Sequence, residues 1–257
     1  MSSEIPSAGP DLRLTLSVPV CATLGIMIKI KISEIFYSIQ GEGKLAGVPS
    51  VFIRTSGCNL RCTWCDSPYT SWTPEGVFMS IPEILDRASD FPTTYVVLTG
   101  GEPLLAPNIE DLSHALKNAG YHITLETAAT LYKVVTFDLA SVSPKLSNST
   151  PWERDNGRHA EKHDCQRLNF DTIRRLMTGP DYQLKFVIDE PEDIAEVDAL
   201  LLELEDLDPA NVLLMPQGVT EQELNAKNPW IADLCKQRGF RFCPRIHIAL
   251  YGNTRGT

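Results

Sequence analysis

Residues 95–103, Tyr-Val-Val-Leu-Thr-Gly-Gly-Glu-Pro, read as a short apolar strand that runs straight into a glycine turn. An apolar run this short, bounded by Gly-Gly and Pro, fits a strand buried on both faces better than a helix. A helical pattern follows over 109–119 and stops at Gly120, where glycine supplies a left-handed end. The next strand is 122–126. Strand, crossover helix and strand in that order require a parallel pair. The same alternation continues outward in both directions. Upstream, 29–39 alternates and is rich in β-branched and aromatic residues, 50–55 is a short strand, and Ser80-Ile81-Pro82-Glu83 is a capping box that starts a helix. Downstream, strands are expected at 134–139, 182–188 and 211–215. Helices are expected over about 192–204 and from a second capping box at Thr220 and Glu223, with an extended segment over 240–250. The polar stretch 147–170 has no period and reads as a loop or irregular insertion.

This pattern predicts an α/β fold, a parallel sheet with external helices, either open and doubly wound or curled into a closed or partial (β/α) barrel. Function in such sheets gathers at the C-terminal strand ends. There the chain carries Gln40-Gly41-Glu42-Gly43, a cysteine loop, Thr99-Gly100-Gly101-Glu102-Pro103, Glu126-Thr127, Ser143-Pro144-Lys145 and Met215-Pro216-Gln217-Gly218.

The 257 residues are 43% hydrophobic and 22% charged, which is enough for a real core without crosslinks. The formal net charge of −10 disfavours nucleic-acid binding. No stretch reaches the roughly 18 apolar residues of a membrane span, and the apolar N-terminal segment lacks the cationic start of a signal peptide. A cytoplasmic protein with no membrane contact is expected. Residues 1–26 are read as an N-terminal extension before one domain, 27–257.

Seven cysteines cannot all pair within one chain. Cys58, Cys62 and Cys65 lie within eight residues as Cys-x-x-x-Cys-x-x-Cys, and Cys21, Cys165, Cys235 and Cys243 are scattered as small buried hydrophobes would be. Three thiolates on one loop suit a soft metal centre. Spacing alone leaves three readings: an iron–sulfur cluster with an open iron, a zinc site completed by His114, His122, His159 or His163, and buried structural thiols. No histidine stands at finger-like spacing, and Asn59, Arg61 and Asp66 make the loop polar.

The loop resembles the signature of the radical S-adenosylmethionine (SAM) superfamily, with Trp64 at its usual aromatic position and Gly100-Gly101-Glu102-Pro103 resembling the second motif. That resemblance implies a partial (β/α) barrel and a [4Fe–4S] cluster held by Cys58, Cys62 and Cys65, with SAM on the fourth iron. Residues 34–43, 51–54, Ser143-Pro144-Lys145, Lys185-Phe186-Val187 and Pro244-Arg245-Ile246-His247 extend it. Together they are similar to the 7-carboxy-7-deazaguanine synthase family, from about Lys29 to the C-terminus. The resemblance implies a lyase of queuosine and 7-deazapurine biosynthesis that acts on a small pterin. It also implies Mg²⁺, a flavodoxin-like or other one-electron reductant, and a homodimer.

By the same resemblance, Ile39, Gln40, Gly41, Arg54, Thr99 and Glu126 should meet the substrate. Gly101, Ser143, Pro144, Lys145, Lys185, Phe186, Val187 and Ile188 should border SAM, and Ser67 should ligate Mg²⁺. Arg54 suits a carboxylate because a guanidinium fork fixes position and angle together. Ala129 stands where that family has glycine, which puts the local turn in doubt, and 147–170 has no counterpart. A glycyl-radical-enzyme activase, acting on a protein loop, shares the cysteine chemistry and the Gln40–Gly43 pattern. A ferredoxin-like electron carrier would leave Gly100–Pro103 and Ser143–Lys145 without a purpose.

Overall fold

The computed structural model describes residues 29–205 and 207–257. The expected extension 1–26, with Cys21, lies outside the described residues, as do residues 27 and 28 at the start of the expected domain. In chain order the described elements begin with strands β1 (Lys29–Ile39) and β2 (Pro49–Thr55), helix α1 (Pro68–Ser71), β3 (Val77–Ser80), α2 (Ile81–Ser89) and β4 (Tyr95–Gly100). They continue with α3 (Ile109–Asn118), β5 (His122–Thr127), β6 (Leu139–Val142), α4 (Ala160–Gln166), α5 (Phe170–Met177) and β7 (Tyr182–Ile188). The last are α6 (Asp193–Leu204), β8 (Val212–Pro216), α7 (Glu221–Arg238), β9 (Arg241–Phe242) and α8 (Ile246–Tyr251).

These strands form one sheet in the order β3-β1-β2-β4-β5-β6-β7-β8-β9. From β2 onward every neighbouring pair is parallel. β1 runs antiparallel to both β2 and β3, an antiparallel margin on the expected parallel sheet. The connection from Gln40 to Val48 is too short for a crossover helix, so β1 and β2 pair as a hairpin. The edges β3 and β9 are not joined, so the sheet is open, as in a partial barrel.

Two-residue alternation divides the sheet into two environments. Val51, Ile53, Val96, Leu98, Ile123, Leu125, Leu184 and Phe186 face the helices in one main core. Phe52, Arg54, Val97, Thr99, Glu126, Lys185 and Val187 face a cavity on the other side. A strand buried on both faces reads as continuously apolar, which is why 95–98 and 182–188 show no clean alternation.

The helix starts were well marked. Ser80 and Glu83 form the capping box of α2, and Thr220 and Glu223 form that of α7. Gly120 follows α3 in the left-handed region at φ 88°. Three expectations shift. The strand expected at 134–139 is β6, Leu139–Val142, because 128–138 is irregular and Val134 is exposed. The 147–170 stretch is not a plain loop: it holds short 3₁₀ turns at Ser147–Ser149 and Arg154–Gly157, then α4. The extended segment expected over 240–250 is only β9 followed by α8, because Ile246 and Ile248 alternate like a strand but lie on a helix. No helix among the described residues is long and apolar enough to cross a membrane.

Candidate active site

A cavity of about 470 Å³ is lined by one face of β1, β2, β4, β5, β7 and β8 together with the loops after β2, β4 and β6. Cys58, Cys62 and Cys65 lie on its wall with Trp64, Ser67 and Gly101. The cysteine loop leaves β2 and is tied to the end of β4: the Glu102 amide donates to Gly57 O at 2.9 Å. A Cβ on Gly101 would sit 2.5 Å from Gly57 O and 2.7 Å from Cys58 Cβ, so only glycine lets the two motifs close on each other.

Glu102 itself does not face the cavity. Its carboxylate accepts from Thr127 Oγ1 (2.7 Å), the Leu104 amide (3.0 Å) and the Ala128 amide (2.9 Å), stapling the end of β4 to the end of β5. That staple shapes the turn at Ala129. Ala129 does adopt the left-handed conformation, φ 56°, and is fully buried. A non-glycine residue there costs about 1–2 kcal/mol, offset in part by the Ala129 amide donating to Thr127 Oγ1 at 2.9 Å. Ala129→Gly is expected to stay within about 1 kcal/mol of the parent, since relief of φ strain roughly cancels the lost methyl burial. Ala129→Val should cost more than about 2 kcal/mol, because a branched Cβ tolerates this φ poorly. Urea unfolding of the two variants checks the pair.

Part of the cavity wall carries a polar network. Lys185, almost fully buried, donates to Glu42 Oε2 at 2.6 Å and Glu126 Oε2 at 3.1 Å. Gln40 Nε2 approaches Glu126 Oε1 at 3.5 Å. Arg245 donates to Glu42 Oε1 (3.1 Å), to Asp66 Oδ2 (2.7 Å) and to Gly218 O. Burial alone would raise the Glu42 carboxyl, but Lys185 and Arg245 outweigh it and hold it well below the usual carboxylate range. Asp66 is lowered as well: burial opposes it and Arg245 prevails. Gly41 packs against His247, whose Nδ1 would lie 2.0 Å from a Cβ at that position.

Arg54 lies beside this network, over the Phe36 ring, and its Nε donates to Glu34 Oε1 at 2.6 Å. The bond occupies only Nε. The two terminal nitrogens make no hydrogen bond to described residues. Arg255 donates to Glu34 Oε2 (3.1 Å) and lies over the Tyr69 ring, bringing the C-terminal residues to the same wall. Five cationic side chains (Arg54, Lys145, Lys185, Arg245 and Arg255) face the cavity against three carboxylates (Glu42, Asp66 and Glu126) in a chain of net charge −10. Glu34, shared by Arg54 and Arg255, and Glu75, paired with Arg255, bring the charges around the cavity close to balance.

Most residues singled out in the sequence meet here: Ile39, Gln40, Gly41, Arg54, Thr99, Glu126, Gly101, Ser143, Lys145, Lys185, Val187, the three cysteines and Ser67 all line the cavity. Pro144, Phe186 and Ile188 do not. Phe186 and Ile188 alternate to the opposite face of β7 and lie in the helix-side core, and Pro144 is buried away from the cavity. Gln40–Gly43 is not at a C-terminal end of the parallel strands either. It follows an antiparallel strand, and the loop reaches across to β7, where the Lys44 amide donates to Gln183 Oε1 at 2.7 Å. Arg245 and His247 belong to the cavity wall although no role was read for them. Their partner Glu42 lies about two hundred residues away, a relation that local spacing cannot show.

The donor set fits a cluster better than a zinc ion. His163 packs on the cysteine loop, but its Nδ1 accepts from the Arg61 amide and its Nε2 pairs with Ser149 Oγ. His114 pairs with Thr136, His122 stacks on Tyr95 at the far end of β5, and His159 meets Trp72 edge-on. Burial pushes the Cys58 and Cys62 thiols up to about 12. Only bound metal would draw their protons off, as thiolate ligation requires.

Comparison with known proteins agrees with this geometry. Residues 52–142 match the model of the radical SAM superfamily. A 7-carboxy-7-deazaguanine synthase from Halobacterium salinarum is 44% identical over 238 residues, covering 89% of this chain and 93% of the relative. One from Rhodopirellula baltica is 46% identical over 227 residues, 88% of each chain. The crystal structure of QueE from Escherichia coli superposes with a TM-score of 0.64 at 24% identity, covering 85% of this chain and 95% of that one, which speaks for the fold. Cysteine loop, glycine turn and the cavity they share thus stand on the framework that the sequence comparison finds, and the chain belongs to the 7-carboxy-7-deazaguanine synthase family of radical SAM enzymes.

Proposed function

We propose that this chain converts 6-carboxy-5,6,7,8-tetrahydropterin to 7-carboxy-7-deazaguanine with loss of ammonia, and that the residues above divide the work. The observation that carries the reading is one cavity lined by three thiols, Gly101 and Arg54, whose terminal nitrogens make no hydrogen bond to described residues. A [4Fe–4S] cluster on Cys58, Cys62 and Cys65 would supply the electron that splits SAM into a hydrogen-abstracting radical. The chain's own residues bind, orient and exclude water. Gly101, Ser143, Lys145 and Val187 border the SAM end. Arg54, steadied by Glu34, offers its two terminal nitrogens to the substrate carboxylate. Ile39, Gln40, Gly41, Thr99 and Glu126 form the pterin end.

Ser67 caps α1 without its hydroxyl making a capping bond, so a hard oxygen is free on the cavity wall for Mg²⁺, which commonly takes few protein ligands. A one-electron donor must reduce the cluster, and a flavodoxin-like protein is the proposed class. An activase for a glycyl-radical enzyme would need a groove for a protein loop. The cavity here has stacked Phe36 and Phe52 on one wall, ring centroids 4.8 Å apart, which suits a flat heterocycle.

Arg54→Lys tests the substrate end. Losing a forked, charge-assisted pair should raise KM for the carboxypterin by about 10- to 100-fold. SAM cleavage without substrate should be unchanged. An unaltered KM would remove Arg54 from the substrate site.

A further inference from the structure

The polar stretch 147–166 has no part in the chemistry above, yet it holds the cysteine loop at four points. The Arg61 amide donates to His163 Nδ1 at 3.0 Å, and the Thr63 amide donates to Ser149 O at 2.8 Å. Trp64 Nε1 donates to Asn148 O at 3.2 Å, and Arg154 Nη1 donates to Thr63 O at 2.8 Å. Cys62 is thus bracketed by anchored backbone on both sides. Arg154 is itself seated over the Trp72 ring at 4.0 Å, and Trp72 Nε1 donates to Cys62 O at 3.2 Å.

The geometry also fixes the histidine's proton. An amide N–H on Nδ1 demands a lone pair there, so the ring proton sits on Nε2 and is donated to Ser149 Oγ at 2.9 Å. Ser149 then donates to Leu146 O at 2.6 Å. The imidazole is 1% exposed and makes one continuous chain from the cysteine loop to the segment after Lys145. Burial of the ring favours its neutral form.

We propose that residues 147–166 are a clamp that fixes the middle cluster ligand, Cys62, with His163 as its positioning residue through the acceptor it presents to the Arg61 amide. Outer partners of this kind typically account for about 10- to 100-fold in metal retention. The proposal rests on the reading that the three cysteines hold a cluster, and the two fail in different ways.

The test is the rate at which a chelator strips iron from anaerobically reconstituted protein, followed by cluster absorbance. His163→Asn places an amide oxygen where Nδ1 was and keeps the bond to Arg61. His163→Gln reaches Ser149 instead and leaves the Arg61 amide unpaired. The glutamine variant should lose iron about 10- to 100-fold faster than wild type and the asparagine variant within about threefold of it. If histidine only filled space, the longer glutamine would be the better substitute. Arg154→Met, a change near the surface that leaves the core intact, should speed iron loss several-fold. Equal rates for the asparagine and glutamine variants, or a wild-type rate for Arg154→Met, overturns the clamp. Wild-type protein that takes up no cluster overturns the underlying reading as well.

Discussion

Cys62→Ala is expected to abolish cluster loading and to lower turnover by at least about 10³-fold, about 4 kcal/mol on the barrier. Three thiols line the cavity, and His163, the histidine packed on their loop, has both ring nitrogens engaged and cannot take over. A methyl group in place of Cys62 leaves two ligands, too few to hold the cluster with one iron open to SAM. The control is Cys235→Ala. Cys235 lies in the main core on α7, so its loss should cost about 1 kcal/mol of stability and leave the cluster spectrum intact. Iron content and visible absorbance of both variants decide the matter.

The largest stability effect should come from Lys185→Met. The residue is 4% exposed, and its ammonium is shared by Glu42 and Glu126. Desolvation opposes the charge, yet the two carboxylates hold its pKa well above the ordinary lysine value. Removing it leaves Glu126 with only Gln40, 3.5 Å away, inside a cavity wall. Breaking such a pair costs about 3–5 kcal/mol, because a charge is left uncompensated. Adding Glu126→Gln to Lys185→Met should recover part of the loss, and a double-mutant cycle in urea measures how much. The pH dependence carries the same signature. Glu42 has a depressed pKa in the fold, so its contribution is fully present above about 4.5 and is lost as pH falls below that value toward its folded pKa. Glu42→Gln should flatten the decline in that acid range.

The sheet was legible because packing dictates the residue types: 182–188 is apolar on the core face and carries Lys185 and Val187 on the other, and the strand is found where it was expected. Capping boxes at Ser80 and Thr220 marked helix starts because side chain and amide satisfy each other locally. β3 escaped notice because Val77 and Phe78 are both exposed on an edge, so no alternation marks it. The 147–170 stretch looked shapeless because hydrogen bonds to the cysteine loop, rather than an apolar stripe, hold it in place. Motifs placed most of the cavity, but a motif does not say which way a side chain points. Phe186 and Ile188 stand next to Lys185 in sequence and on the opposite face of β7. Glu102, read as part of a cofactor motif, proved to be the staple under it.

The central claim is that the cysteine loop and the Arg54 end of one cavity serve a single reaction. Anaerobic turnover tests it most directly: reconstituted protein is given 6-carboxy-5,6,7,8-tetrahydropterin, SAM, Mg²⁺ and a one-electron reductant, and the products are read by mass. The account predicts 7-carboxy-7-deazaguanine and ammonia in equal amounts, with SAM not consumed in step with product. SAM cleavage to 5′-deoxyadenosine with no deazaguanine formed would contradict it.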